Sequence, residues 1–83
     1  MELDELRSQI NGIDEELIDL FRRRMDVAAG IAEYKKEHHL PVYDPARERD
    51  VLARVSALAG EDMEGYARVL FSTLFDLSRA YQN

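Results

Sequence analysis

The chain of 83 residues contains no cysteine, which excludes disulfide staples and thiolate metal sites and leaves the redox compartment open. It has only two prolines, and a composition so poor in helix breakers argues against disorder. No apolar run approaches the ~20 residues that a membrane span requires. The opening MELDELRSQ has neither the basic start nor the apolar stretch of a signal peptide, so a cytoplasmic location is expected. Positive charge is not in excess either. Seventeen acidic against eleven basic residues leave a net charge of −6, which repels phosphate backbones and argues against a nucleic-acid partner. A small anionic ligand would then have to be held by a local basic cluster working against the global field.

What the chain does have is 46% hydrophobic and 34% charged residues, the composition of a soluble helical protein. The length fits a single domain, 1–83, near the lower limit for a self-sufficient core. The apolar positions are ordered. Leu3, Leu6, Ile10, Ile13, Leu17 and Leu20 recur in steps of three and four, and the steps continue through Val27, Ile31 and Tyr34. Gly12 and Gly30 each weaken a helix by ~1 kcal/mol relative to alanine but leave the register in phase. The pattern predicts one helix from about residue 4 to about residue 38, roughly 50 Å long at ~1.5 Å per residue. A globule of this size is only about 30 Å across, so the rest of the chain cannot cover such a rod. A symmetric homodimer, burying the same stripe on both copies, is the economical solution.

HHLPVYDPARERD interrupts the helix and starts another: Pro41 ends helical geometry upstream, Asp44 is a good N-cap and Pro45 suits the first helical position. The second helix is expected over Pro45–Ala59, with Val51, Leu52, Val55 and Leu58 as its apolar face. AGEDMEG reads as the next connection. A third helix then carries Tyr66, Val69, Leu70, Phe71, Leu74, Phe75, Leu77 and Tyr81. The fold class is all-α: three helices per chain, one very long, in an intertwined homodimeric bundle.

Several polar residues fall in these apolar columns. Arg24 occupies the seam position between Leu20 and Val27, where a cation costs free energy unless an anion meets it. Arg7 and Lys35 share a helical column with Phe21 and Ala28 and border the buried face. Glu48 lies three before Val51 and seven before Val55, while Ser78 and Gln82 extend the Leu70–Leu74 stripe. Each has an ordinary explanation. Arg7 and Lys35 can snorkel past apolar neighbours, Glu48 can favour a helix N-terminus, and Arg24 can be half of a buried Arg–Glu register device. Arg22 and Arg23, off the seam, read as solvated. Together, however, three cations, a carboxylate, a hydroxyl and an amide facing an apolar interior describe a pocket for a small dicarboxylate. No nucleophile–base pair accompanies them. Ser78 has no histidine at helical spacing, and His38 and His39 lie in the connection and form no metal set with any carboxylate. A reaction here would be driven by positioning and electrostatics.

LRSQINGIDEELIDLFRRRMDVAAGIAEYK, LPVYDPARERDVL and LFSTLFDLSRAYQ closely resemble the all-helical chorismate mutases over essentially the whole chain, most specifically in Arg24, Lys35 and DPARE at these intervals. The resemblance implies an entwined homodimer with two equivalent sites, conversion of chorismate to prephenate, no cofactor and no metal. It implies that Arg7 reaches the partner's site and binds a substrate carboxylate, as Arg24 does within its own chain. Lys35 would contact the ether oxygen whose bond breaks, with the amide of Gln82 at the same atom. Asp44 and Glu48 would stand around the ring hydroxyl, Arg47 would line the pocket and Ser78 would be a hydroxyl on the carboxylate side. Such domains are often fused to prephenate dehydratase or dehydrogenase. Two other readings stay open: an isochorismate–pyruvate lyase of the same fold, and a non-catalytic helical dimerisation or regulatory module in which Arg24 pairs with a partner carboxylate such as Glu48 or Asp14.

Overall fold

The computed structural model describes residues 2–82 and consists of three helices with no strand among them: α1 (Glu2–Glu37), α2 (Pro45–Ala59) and α3 (Glu64–Gln82). The first helix is one uninterrupted element of 36 residues, and the molecule extends 57 × 26 × 16 Å. Its radius of gyration is 15.9 Å, where a compact chain of this length would have about 12 Å.

Each boundary has a local cause. His39 takes the left-handed conformation (φ 55°), which reverses the chain after the last turn of α1. The Leu40 N–H then donates to the Lys35 carbonyl at 2.7 Å and the His39 N–H to that of Lys36 at 3.3 Å, satisfying carbonyls that the helix end leaves free. Histidine tolerates this conformation better than most residues. α2 starts where the sequence places it: the Asp44 carboxylate accepts from the Arg47 N–H at 3.0 Å and Pro45 opens the helix. Gly60 (φ 88°) closes it, a conformation that a side chain would strain. α3 starts at Glu64, so the connection is shorter than AGEDMEG suggests. The Met63 and Glu64 N–H groups both donate to the Gly60 carbonyl, at 3.1 and 2.8 Å, winding the chain into helix two residues before Tyr66.

α3 is the hub. It packs against α2 and against the C-terminal half of α1, while α1 and α2 do not pack on each other. The core is small: Val51, Val55 and Phe75 are buried, with Leu52 and Phe71 packed against them. The covered stripe of α2 runs through Val51, Leu52, Val55, Ser56 and Ala59. Leu58, expected on the inner face, lies at the edge of this stripe and is 74% exposed. Buried Ser56 donates to the Leu52 carbonyl at 2.7 Å and accepts from Arg68 at 2.8 Å. Tyr66, Val69, Leu70, Leu77 and Tyr81, expected in the third helix's apolar face, are also exposed.

Within the single chain, the predicted seam of α1 is uncovered. Leu3, Leu6, Ile10, Ile13, Leu17, Leu20, Val27, Ile31 and Tyr34 are all more than half exposed, and α1 has no buried residue. The face of α1 that α3 covers in part is the adjoining one, carrying Phe21, Met25, Ala28 and Ala32. Arg24, at the margin between the seam and that face, is partly covered, unlike its seam neighbours Leu20 and Val27. Every residue from Glu2 to Leu20 is exposed, so the N-terminal half of α1 stands clear as an arm. No helix of the described residues is long and apolar enough to cross a membrane.

Candidate functional site

A cleft of about 330 Å³ opens where α2, α3, the C-terminal half of α1 and the connection between α1 and α2 meet. That volume is at the small end for ligand pockets, suited to one compact molecule. Seven of the eight sequence-predicted site residues line it: Arg24 and Lys35 from α1, Asp44 from the connection, Arg47 and Glu48 from α2, and Ser78 and Gln82 from α3. Val51, Phe71 and Phe75 give it an apolar wall.

Arg24 leaves the solvent-exposed seam and turns toward α3. Its Nη1 donates to the Ser78 hydroxyl at 3.4 Å, and its guanidinium lies 5.5 Å from the centre of the Phe71 ring and 5.8 Å from that of Phe75. These rings offer a partial, cation–π compensation but no counter-charge. Burial pushes the Arg24 pKa down from its ordinary value, the sign of a cation whose charged form is penalised by desolvation. Arginine stays protonated regardless, so Arg24 brings a full positive charge to the cleft. Neither Glu48 nor Asp14 of the same chain forms an ion pair with it.

Lys35 sits in the last turn of α1, where the reversal at His39 brings the following segment back beside it. Its Nζ is 3.5 Å from the Val42 carbonyl and 3.7 Å from Asp44 Oδ2, both long contacts. An ammonium has three donors, and contacts of this length leave it ready to turn to a better acceptor. The Gln82 amide donates to the Ala28 carbonyl at 3.1 Å. This bond anchors the last turn of α3 to α1, and the second N–H of the amide has no partner among the described residues.

Arg7 is the exception. It lies on the exposed arm, ~17 residues or roughly 25 Å along α1 from Arg24, and takes no part in this cleft. Three polar lining residues escaped the sequence reading: Tyr43, Arg54 and Arg79. Arg79 donates to Glu48 and, at 2.6 Å, to Asp76. Its only advance signal is the three-residue spacing from Asp76, which reads as an ordinary surface pair. With these included, five cations (Arg24, Lys35, Arg47, Arg54, Arg79) face two carboxylates (Asp44, Glu48). The cleft is thus locally basic in a chain of net charge −6. It can bind a small dianion and steer charge on it, and its lining includes no cysteine or histidine to act as a nucleophile or base.

Comparison with known proteins gives one family: the model for chorismate mutase type II matches residues 6–83. A chorismate mutase of Methanocaldococcus jannaschii is 30% identical over 82 residues, covering 96% of this chain and 83% of that protein. A 4-amino-4-deoxychorismate mutase of Streptomyces venezuelae is 39% identical over 64 residues, covering 74% and 62%. A bifunctional chorismate mutase/prephenate dehydratase of Aquifex aeolicus is 40% identical over 60 residues, covering 72% and 17%. The chain thus spans less than a fifth of the length of such longer curated relatives. No solved structure matches the chain at a significant level.

Proposed function

Because the chain belongs to the chorismate mutase type II family, we propose that its cleft binds chorismate and rearranges it to prephenate. The observation that carries this reading is the convergence of five cations and two carboxylates on one small, apolar-walled cleft. The substrate is a dicarboxylate, and its rearrangement is intramolecular. The carbon–oxygen bond of the ether breaks as a carbon–carbon bond forms between side chain and ring, with no proton transfer and no covalent enzyme intermediate. Catalysis then consists of holding the side chain over the ring and stabilising the negative charge that grows on the ether oxygen.

In this proposal Arg24 binds one carboxylate with the Ser78 hydroxyl beside it, and its uncompensated charge is met by the ligand. Lys35 and the second N–H of Gln82 donate to the ether oxygen, where a fixed donor in a water-poor cleft is worth most. Glu48 and Asp44 accept from the ring hydroxyl, and Arg47 adds to the positive lining. The second carboxylate is taken by Arg7 of the partner subunit, in an entwined dimer formed through the exposed seam of α1. A cytoplasmic setting belongs to the same proposal.

The test is incubation of the purified protein with chorismate, following prephenate formation, with isochorismate and pyruvate release as a parallel arm. Prephenate from chorismate is the expected result. Pyruvate from isochorismate alone would make the protein a lyase. A folded protein inert to both, and showing no thermal shift with chorismate, would leave only a dimerisation module.

A further inference from the structure

The end of the cleft that carries Glu48 holds a charge that the roles above leave unused. Arg79 Nη1 donates to Glu48 Oε2, Nη2 donates to Asp76 Oδ1 at 2.6 Å, and the guanidinium lies 5.1 Å from the centre of the Tyr43 ring. These partners come from α2, from α3 itself and from the connection after α1. The guanidinium is therefore fixed in a planar frame and does not simply trail into solvent. The Asp76 side chain is 73% exposed and does not line the cleft, so water screens it. From within, the cleft meets Glu48 and Arg79 as a neutralised pair.

Asp44 and Glu48 are the carboxylates available to a donor on the substrate ring. Asp44 is already engaged, with Oδ1 on the Arg47 N–H at 3.0 Å and Oδ2 toward Lys35 at 3.7 Å. Glu48 Oε1 has no partner among the described residues. A bare carboxylate there would accept from a hydroxyl or an ammonium and would favour the ammonium, whose hydrogen bond is charge-assisted on both sides. A carboxylate already neutralised by an arginine reverses that order, because the ammonium would be desolvated against a neighbouring guanidinium.

We propose that Arg79 is a positioning residue that sets the substrate class of the cleft, selecting a neutral hydroxyl over an ammonium on the ring by holding and neutralising Glu48. The inference rests on the reading of the cleft given above, with Glu48 at the ring substituent. The 4-amino counterpart of chorismate differs at that group, and a primary amine on a saturated ring carbon is largely protonated at neutral pH.

The experiment measures kcat/KM for chorismate and for 4-amino-4-deoxychorismate with wild type, Arg79→Gln, Arg79→Met and Arg79→Lys. Wild type should favour chorismate by at least about tenfold, since placing like charges together is costly. Either neutral variant should lower that ratio by about tenfold or more, and Arg79→Lys, which keeps the charge but not the planar frame, should fall between them and wild type. The ratio is taken within one variant, so a reduced folded fraction cancels, and two neutral variants guard against failure of one to fold. A wild type that prefers the amine, or a ratio that neutral variants leave within about threefold, overturns the inference while chorismate activity stands. Inactivity of wild type on both substrates overturns the reading of the cleft and this inference with it.

Discussion

Arg7 and Arg24 cannot grip one small substrate from the same chain, because ~17 residues of straight helix hold them roughly 25 Å apart. The cleft that Arg24 lines, of about 330 Å³, does not include Arg7. If each cleft is completed by Arg7 of the partner subunit, Arg7→Ala and Arg24→Ala homodimers should both be nearly inactive, since each lacks one carboxylate ligand at every site. Unfolding the two variants together and refolding them should restore activity. The heterodimer has one site with both arginines and one with neither. Random pairing at equal concentrations makes about half of the dimers heterodimers, so about a quarter of wild-type activity should return. Separation of heterodimers by distinct affinity tags should raise this to about half per dimer. The assay is prephenate formation before and after mixing, with each variant refolded alone as its control. Activity no higher than the sum of the controls, with heterodimers demonstrably present, would refute the shared site.

Other outcomes follow from the same geometry. Arg24→Met should abolish most activity and leave stability in urea unchanged or raised by no more than about 1 kcal/mol: a desolvated cation gives way to an apolar chain of similar length, but water still screens part of that charge. Lys35→Ala should lower kcat by about 100- to 1,000-fold with a smaller effect on KM, as expected when a donor acts on charge developing in the transition state. Gln82→Glu should be poorly active at neutral pH, where an ionised carboxylate repels the ether oxygen, and should recover as pH falls and the carboxyl regains a proton to donate; a flat pH–rate profile at wild-type level would remove Gln82 from that atom. Phe75→Ala should cost about 3–5 kcal/mol by denaturation, as it opens the small core that joins α2 to α3.

Much of this was legible in the residues because periodicity and capping are local. The three- and four-residue steps define α1 as a single rod, and Asp44–Pro45 marks the start of α2 to the residue. The start of α3 was not legible. Glu64 and Gly65 look like turn residues, and only the two hydrogen bonds to the Gly60 carbonyl commit the chain to helix there. Polar residues in apolar columns picked out Arg24, Lys35, Glu48, Ser78 and Gln82 of the lining, since such a side chain must face either a ligand or a counter-charge, whereas Asp44 and Arg47 came only from the family resemblance. That logic did not show which way Arg24 turns: it lies at the margin of the seam and its side chain reaches Ser78 of α3, which packs beside the seam. Arg79 could not be found this way. Its significance depends on the angle at which α3 meets α2, which brings it to Glu48, 31 residues earlier in the chain.

The exposed arm of α1 has a consequence for how the protein behaves at low concentration. If, as proposed, the arm supplies Arg7 to a neighbour's cleft, it ties assembly and substrate binding into one thermodynamic cycle. Whatever factor the partner's arm adds to substrate affinity, the substrate must return to the association of the two chains. Dilution should then produce a lag in product formation that shortens as substrate rises, and a saturating dianion should hold dimers together at concentrations where the free protein separates.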